Sequence, residues 1–167
     1  MRAIPAIVVL GMLAAPAARA ADSWGLDGEQ PLEVTGKVVD LLCELTGDCP
    51  ANCGGGKRQL GILAGDGRLL PAAKGAVFFA GAVPDLLPLC GSEVNADGLL
   101  LAKPEMSLYF VQYLRSGPDD EWAPTEAFLR QWTAANGEAE EWWRADPAAK
   151  AAIARDGVLG IPGLKPE

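Results

Sequence analysis

Along Leu32-Glu33-Val34-Thr35-Gly36-Lys37-Val38-Val39-Asp40-Leu41 the apolar residues fall at positions 32, 34, 38 and 39, and β-branched side chains are prominent. This pattern predicts a strand, with Gly36 marking a bulge or the close approach of another backbone. A cysteine-bearing loop follows and ends in Gly54-Gly55-Gly56. Arg58 to Ala64 and Arg68 to Ala73 read as two further strands. Gly65-Asp66-Gly67 between them predicts a hairpin, because Asp-Gly tolerates the positive φ angles such turns require. Within residues 76–89, Phe78, Phe79, Val83, Leu86 and Leu87 fall along one side of a short helix broken near Pro84. Glu93 to Leu100 and Ser107 to Leu114 are strand-like again, the last with Leu108, Phe110 and Tyr113 expected inside.

The order strand, hairpin, short helix, two strands is that of a small barrel of the OB kind. The expected fold is therefore mainly β: a small five-stranded OB-like barrel over residues 32–115 with a C-terminal helical extension. An open α+β sandwich is the competing arrangement. Composition shifts at Ser116-Gly117-Pro118-Asp119-Asp120, and the period beyond it is helical. Phe128, Leu129 and Trp132 share one helical face, with Gly137 as a stop. Trp142 and Trp143 open a second segment, and Asp146-Pro147 supplies an N-cap followed by proline for a third that ends at Gly157. Residues 119–167 thus form a Trp-rich helical extension, whose apolar tail, 158–164, is expected to dock.

The start of the chain has its own logic. Arg2, the apolar stretch from Ile4 to Pro16 and the small-x-small Ala18-Arg19-Ala20 read as a signal peptide over residues 1–20, cleaved before Ala21. The stretch is too short for a permanent membrane anchor, so an exported, bacterial periplasmic protein is expected. Residues 22–31 read as a polar, mobile leader. The formal charge is −8, and Arg2 and Arg19 leave with the signal, so the processed chain is more acidic still. Such a balance argues against nucleic acid and anionic lipid, whose phosphates require lysine and arginine clusters. It favours solubility and can steer a basic partner.

There is no histidine. Ser-His-Asp hydrolysis, His-ligated zinc chemistry, imidazole acid/base catalysis and c-type haem attachment are excluded with it. Gly54-Gly55-Gly56-Lys57 fails as a phosphate loop, because Ala51 stands where the first glycine is needed and Arg58 where a magnesium-binding hydroxyl is needed. Asp40, three residues before Cys43, reads as a turn cap rather than a base.

The candidate chemistry lies in the four cysteines, Cys43, Cys49, Cys53 and Cys90. Two disulfides are the default for an exported chain of this size, and three pairings are open. One short bridge inside the loop and a second reaching Cys90 is the arrangement that would pin the loop to the barrel. The same four residues are the candidate metal ligands if reduced, for zinc, iron or Cu(I), although the spacing is not that of a zinc ribbon. Cys49-Pro-Ala-Asn-Cys53 as a redox-active bridge, its thiol tuned by Lys57 and Arg58, is the third option.

Val34-Thr35-Gly36-Lys37-Val38-Val39-Asp40-Leu41-Leu42-Cys43 resembles the opening of a group of small exported bacterial proteins. These begin Val-x-Gly-x-Val-Val-Asp and continue into a cysteine loop; Gly91-Ser92-Glu93-Val94 and Gly98 echo a later strand of that group. The resemblance covers about residues 32–115 and implies an OB-like barrel. Members often carry a histidine near the loop, which this chain lacks.

The resulting expectation is a non-enzymatic periplasmic accessory protein without a cofactor. It would present the cysteine loop and the tryptophans Trp122, Trp132, Trp142 and Trp143 to another exported protein, basic or redox-active in kind. A competing structural role for these tryptophans is to clamp short helices onto the barrel. The alternative function is a metal-binding or thiol-redox protein using the four cysteines.

Overall fold

The computed structural model describes residues 21–104, 106–157 and 160–161. The segment expected to be a signal peptide, residues 1–20, and most of the apolar tail lie outside the described residues. Five strands close into a barrel: β1 (Glu29–Asp40), β2 (Leu60–Ala64), β3 (Leu69–Lys74), β4 (Glu93–Ala102) and β5 (Ser107–Arg115). The hydrogen-bonded order is β3-β2-β1-β4-β5, antiparallel throughout, and a parallel β3–β5 pairing closes the ring. A short helix, α2 (Val83–Leu86), lies between β3 and β4. This is the OB-like barrel expected from the element order, with a sixth strand, β6 (Ala123–Pro124), added on β5.

Gly36 is where β1 changes partners. Gly36 and Lys37 pair with Ala64 and Leu63 of β2 and also with Val94 and Glu93 of β4. A Cβ at Gly36 would lie 2.5 Å from the Leu63 carbonyl oxygen. Both neighbouring strands pair with β1 at this position, and a side chain there would run into backbone. Inside the barrel Val38, Leu60, Ile62, Leu70, Ala72, Val94, Ala96, Tyr109 and Val111 form the core, with Leu86 of α2 capping one end.

Two expectations are corrected here. In β5 the inward residues are Tyr109, Val111 and Leu114, whereas Leu108, Phe110 and Tyr113 are only half-buried. The segment is apolar on both faces, so alternation alone does not fix which face turns inward. The Tyr109 hydroxyl resolves it by donating to the Leu32 carbonyl (2.7 Å), which satisfies a phenol in the core. The second correction is the leader. Glu29 accepts the backbone N–H groups of Trp24 (3.1 Å) and Leu26 (3.0 Å) and the Ser23 hydroxyl. Gln112, buried in β5, accepts from Asp22 N (2.8 Å) and donates to Asp22 O (2.6 Å). Residues 21–28 are thus tied to the barrel rather than mobile.

The extension comprises α3 (Ala127–Asn136), α4 (Trp142–Ala145) and α5 (Pro147–Asp156). Gly137 and Gly157 cap α3 and α5 as expected, and Asp146 accepts from Ala149 N (2.8 Å) at the start of α5. Thr125 stitches the extension to the barrel. Its buried hydroxyl donates to Val111 O (2.6 Å) and accepts from Ala76 N (2.8 Å). Asp85 of α2 accepts from Ala127 N (2.9 Å), capping α3 from the barrel side.

Candidate functional site

The cysteine loop begins where β1 ends. Asp40 caps α1 (Leu41–Thr46), accepting from Leu42 N (2.9 Å) and Cys43 N (3.3 Å), so it is the expected turn cap. Cys43 is bridged to Cys49, and Cys53 to Cys90. Among the described residues no cysteine is free, so in this state none of the four sulfurs is a thiolate ligand. Residues 52–56 all have positive φ, which turns the chain back sharply and brings the buried Cys53 to the core. Arg58 does not face a thiol. It donates to Asp48 O (2.7 Å) and Asp48 Oδ2 (2.6 Å) and reaches Asp40 Oδ2 (3.3 Å), closing the loop onto the barrel. The loop is a braced scaffold, and its outer side carries the exposed Leu42 and Leu45.

The four tryptophans separate into two kinds. Trp132 and Trp142 are buried with Ala80 in a second small core, 5.8 Å apart between ring centroids, with Phe128 and Leu129 packed against them. Trp132 Nε1 donates to Asp146 Oδ2 (2.7 Å), joining α3 to the start of α5. These two rings clamp short helices that have no other core. Trp122 lies under the Arg115 guanidinium, 4.3 Å from ring centroid to Cζ. Trp143 packs on this second core, 6.2 Å from Trp142, and also enters a further structure.

That structure is an aromatic face assembled from four segments. Trp24 of the leader stacks on Phe78 at 5.8 Å and packs on Phe110 of β5 at 5.5 Å. Phe78 and Phe79 lie 6.4 Å and 5.2 Å from Trp143 of α4. Phe78 is 58 % exposed and Phe79 70 %, which is far from the helical, inward-facing role the apolar spacing predicts. The helix forms over Val83–Leu86 and continues as a 3-10 turn over Leu87–Leu89, leaving both phenylalanines outside it. Phe79 adopts φ 61°, a left-handed conformation that disfavours a bulky side chain by about 1 kcal/mol or more.

At the root of this face, Lys74 Nζ sits 3.6 Å from the centre of the Trp24 ring and 4.7 Å from that of Phe78. It has no hydrogen-bond partner and is shielded from water. Burial pushes its pKa down to about 8; the aromatic faces partly compensate by attracting the ammonium. A lysine with a depressed pKa favours the folded state fully only above its unfolded value, about 10.4, and that contribution is lost as pH falls through about 8. Lys74→Met is therefore expected to raise the melting temperature at pH 7, with the gain shrinking as pH rises from 8 toward 10.5. Thermal melts of the two proteins across that range check it; an unchanged melting temperature at pH 7 would contradict it.

Trp24, Lys74, Phe78, Phe79 and Phe110 were not among the sequence candidates. The available signal was adjacent phenylalanines between Gly75 and Gly81, a bulky pair in a loop-forming stretch. No known family model matches the sequence, and no curated protein or solved structure proves similar to it.

Proposed function

We propose that this is a periplasmic, non-enzymatic binding protein whose aromatic face engages another exported protein. Two disulfides fit an oxidising compartment. The observation that carries the reading is the pair Phe78–Phe79. Two large rings stand open to solvent, one of them in a backbone conformation unfavourable for it, around an ammonium whose burial costs stability. Their ring contacts with Trp24 and Trp143 contribute to folding but leave most of each phenylalanine surface open to solvent. Rigid exposed aromatics are what protein interfaces use as anchors. The formal charge of −8 would draw a basic partner, so the association rate should fall with salt.

Phe79→Gly tests the reading because it separates binding from folding. Glycine is at ease at φ 61°, so the variant should melt no lower than the parent. Its affinity for the partner should fall by about 30-fold or more, as for an interface anchor worth about 2 kcal/mol. The partner is first captured by cross-linking in periplasmic extract, and affinity is then measured by titration. Unchanged affinity in Phe79→Gly and Phe78→Ser would refute the assignment of this face.

A further inference from the structure

Asp97 is the most deeply buried carboxylate whose position the fold leaves unexplained. It lies in β4 at the bulge beside Gly98, opposite Glu33 of β1 and Tyr113 of β5, and it is 2 % exposed. Burial raises its pKa and the neighbouring backbone N–H groups of Ala21 and Gly98 act in the opposite direction, yet Oδ2 has no hydrogen-bond partner. Among the described residues no lysine or arginine pairs with it; Arg115, the nearby cation on β5, is engaged with Glu33 at 3.2 Å. The charges that act on Asp97 most are negative, Glu33 and Asp22, and the Tyr109 phenol adds no cation. A buried, half-satisfied carboxylate surrounded by like charge is costly.

One of the two backbone N–H groups that favour its charged form is that of Ala21. Ala21 is itself buried, and the next residue is gripped by Gln112 through both its N–H and its carbonyl. The sequence pattern Ala18-Arg19-Ala20 sets the cleavage point at that same nitrogen. We propose that Asp97 is a built receptor for the α-ammonium group created when the chain is cut between Ala20 and Ala21. In that cut a signal peptidase adds water across the amide. Hydroxide goes to the Ala20 carbonyl carbon and a proton to the Ala21 nitrogen, which takes a second proton near neutral pH. One N–H donor thereby becomes three with a positive charge, enough to satisfy the orphaned Oδ2 and neutralise Asp97. Processing thus completes the barrel, and the ion pair locks the start of the processed chain against β4 and β5.

The inference goes beyond the binding role above and rests on cleavage before Ala21. The test exports the full chain and an otherwise identical chain with Gly-Ser inserted between Ala20 and Ala21, each with and without Asp97→Asn. Intact mass and N-terminal sequencing fix where each begins. The parent should begin at Ala21 and melt about 10 °C above the insertion variant, a difference that disappears in the Asp97→Asn background. An amine paired in the folded state has a raised pKa, so its contribution is complete below about pH 8 and is lost as pH rises through the folded value. The melting difference should close accordingly in alkaline buffer. Equal melting temperatures with the start at Ala21 would overturn the ion pair, and a start elsewhere would overturn its premise. If the insertion variant does not fold, the pH dependence of α-amine acylation decides: a paired amine reacts at higher pH than a free one, and an ordinary profile refutes the pairing.

Discussion

Replacing both Cys53 and Cys90 by alanine is expected to destabilise the protein by about 4 kcal/mol, lowering its melting temperature by roughly 10–15 °C. The bridge spans a sequence separation of 37 and ties the far end of the cysteine loop to the segment just before β4. Without it the unfolded chain regains the freedom of that whole loop, and the positive-φ turn at 52–56 loses its anchor in the core. The Cys43–Cys49 bridge closes a separation of only 6, and its removal should cost about 2 kcal/mol. Arg58, held by Asp48 and Asp40, would still brace that part of the loop. Thermal melts of the two double-alanine variants give the comparison; equal losses would mean that loop length does not govern their contribution.

Gly98→Ala is expected to be comparably disruptive for a different reason. Gly98 sits at the register shift between β4 and β5, facing Val111. A Cβ there would lie 2.1 Å from the Phe110 carbonyl oxygen and 3.1 Å from Cζ of the core residue Tyr109. The obstacle is backbone, which cannot swing aside, so the strands must part and the Tyr109–Leu32 hydrogen bond at the barrel centre is disturbed. A loss of about 3 kcal/mol is expected, at the upper end of ordinary overpacking. Chemical denaturation checks it; a loss under about 1 kcal/mol would mean that the pairing slips to accommodate the methyl group.

The barrel was legible because its strands carry strong local signals. Val34 to Asp40 and Arg58 to Ala73 combine β-branched residues with an Asp-Gly turn, and Gly36 lies where another backbone approaches closely, one of the two roles expected of it. The helical extension was legible from Gly137, Asp146-Pro147 and Gly157. What local pattern could not carry was contact between distant segments. Ser23 to Gly28 looks like a free leader until Gln112, some ninety positions away, is seen to hold Asp22. The inward face of β5 depends on whether a tyrosine finds a carbonyl, which Leu32 provides from another strand. The four tryptophans share a region of sequence but not a fate, because only the packing of α3 on α4 decides that Trp132 and Trp142 are enclosed. The aromatic face was invisible for the same reason: Trp24, Lys74, Phe78, Phe110 and Trp143 come together only when the barrel closes.

The measurement that bears most directly on the proposed binding role is photo-cross-linking in the periplasm, with a photoreactive phenylalanine analogue at position 79 and a control at Lys150 on the exposed side of α5. The account predicts a single discrete adduct to another exported protein from position 79, weakened by Phe78→Ser and absent from position 150. Position 79 yielding no adduct, or the same adducts as position 150, would contradict it.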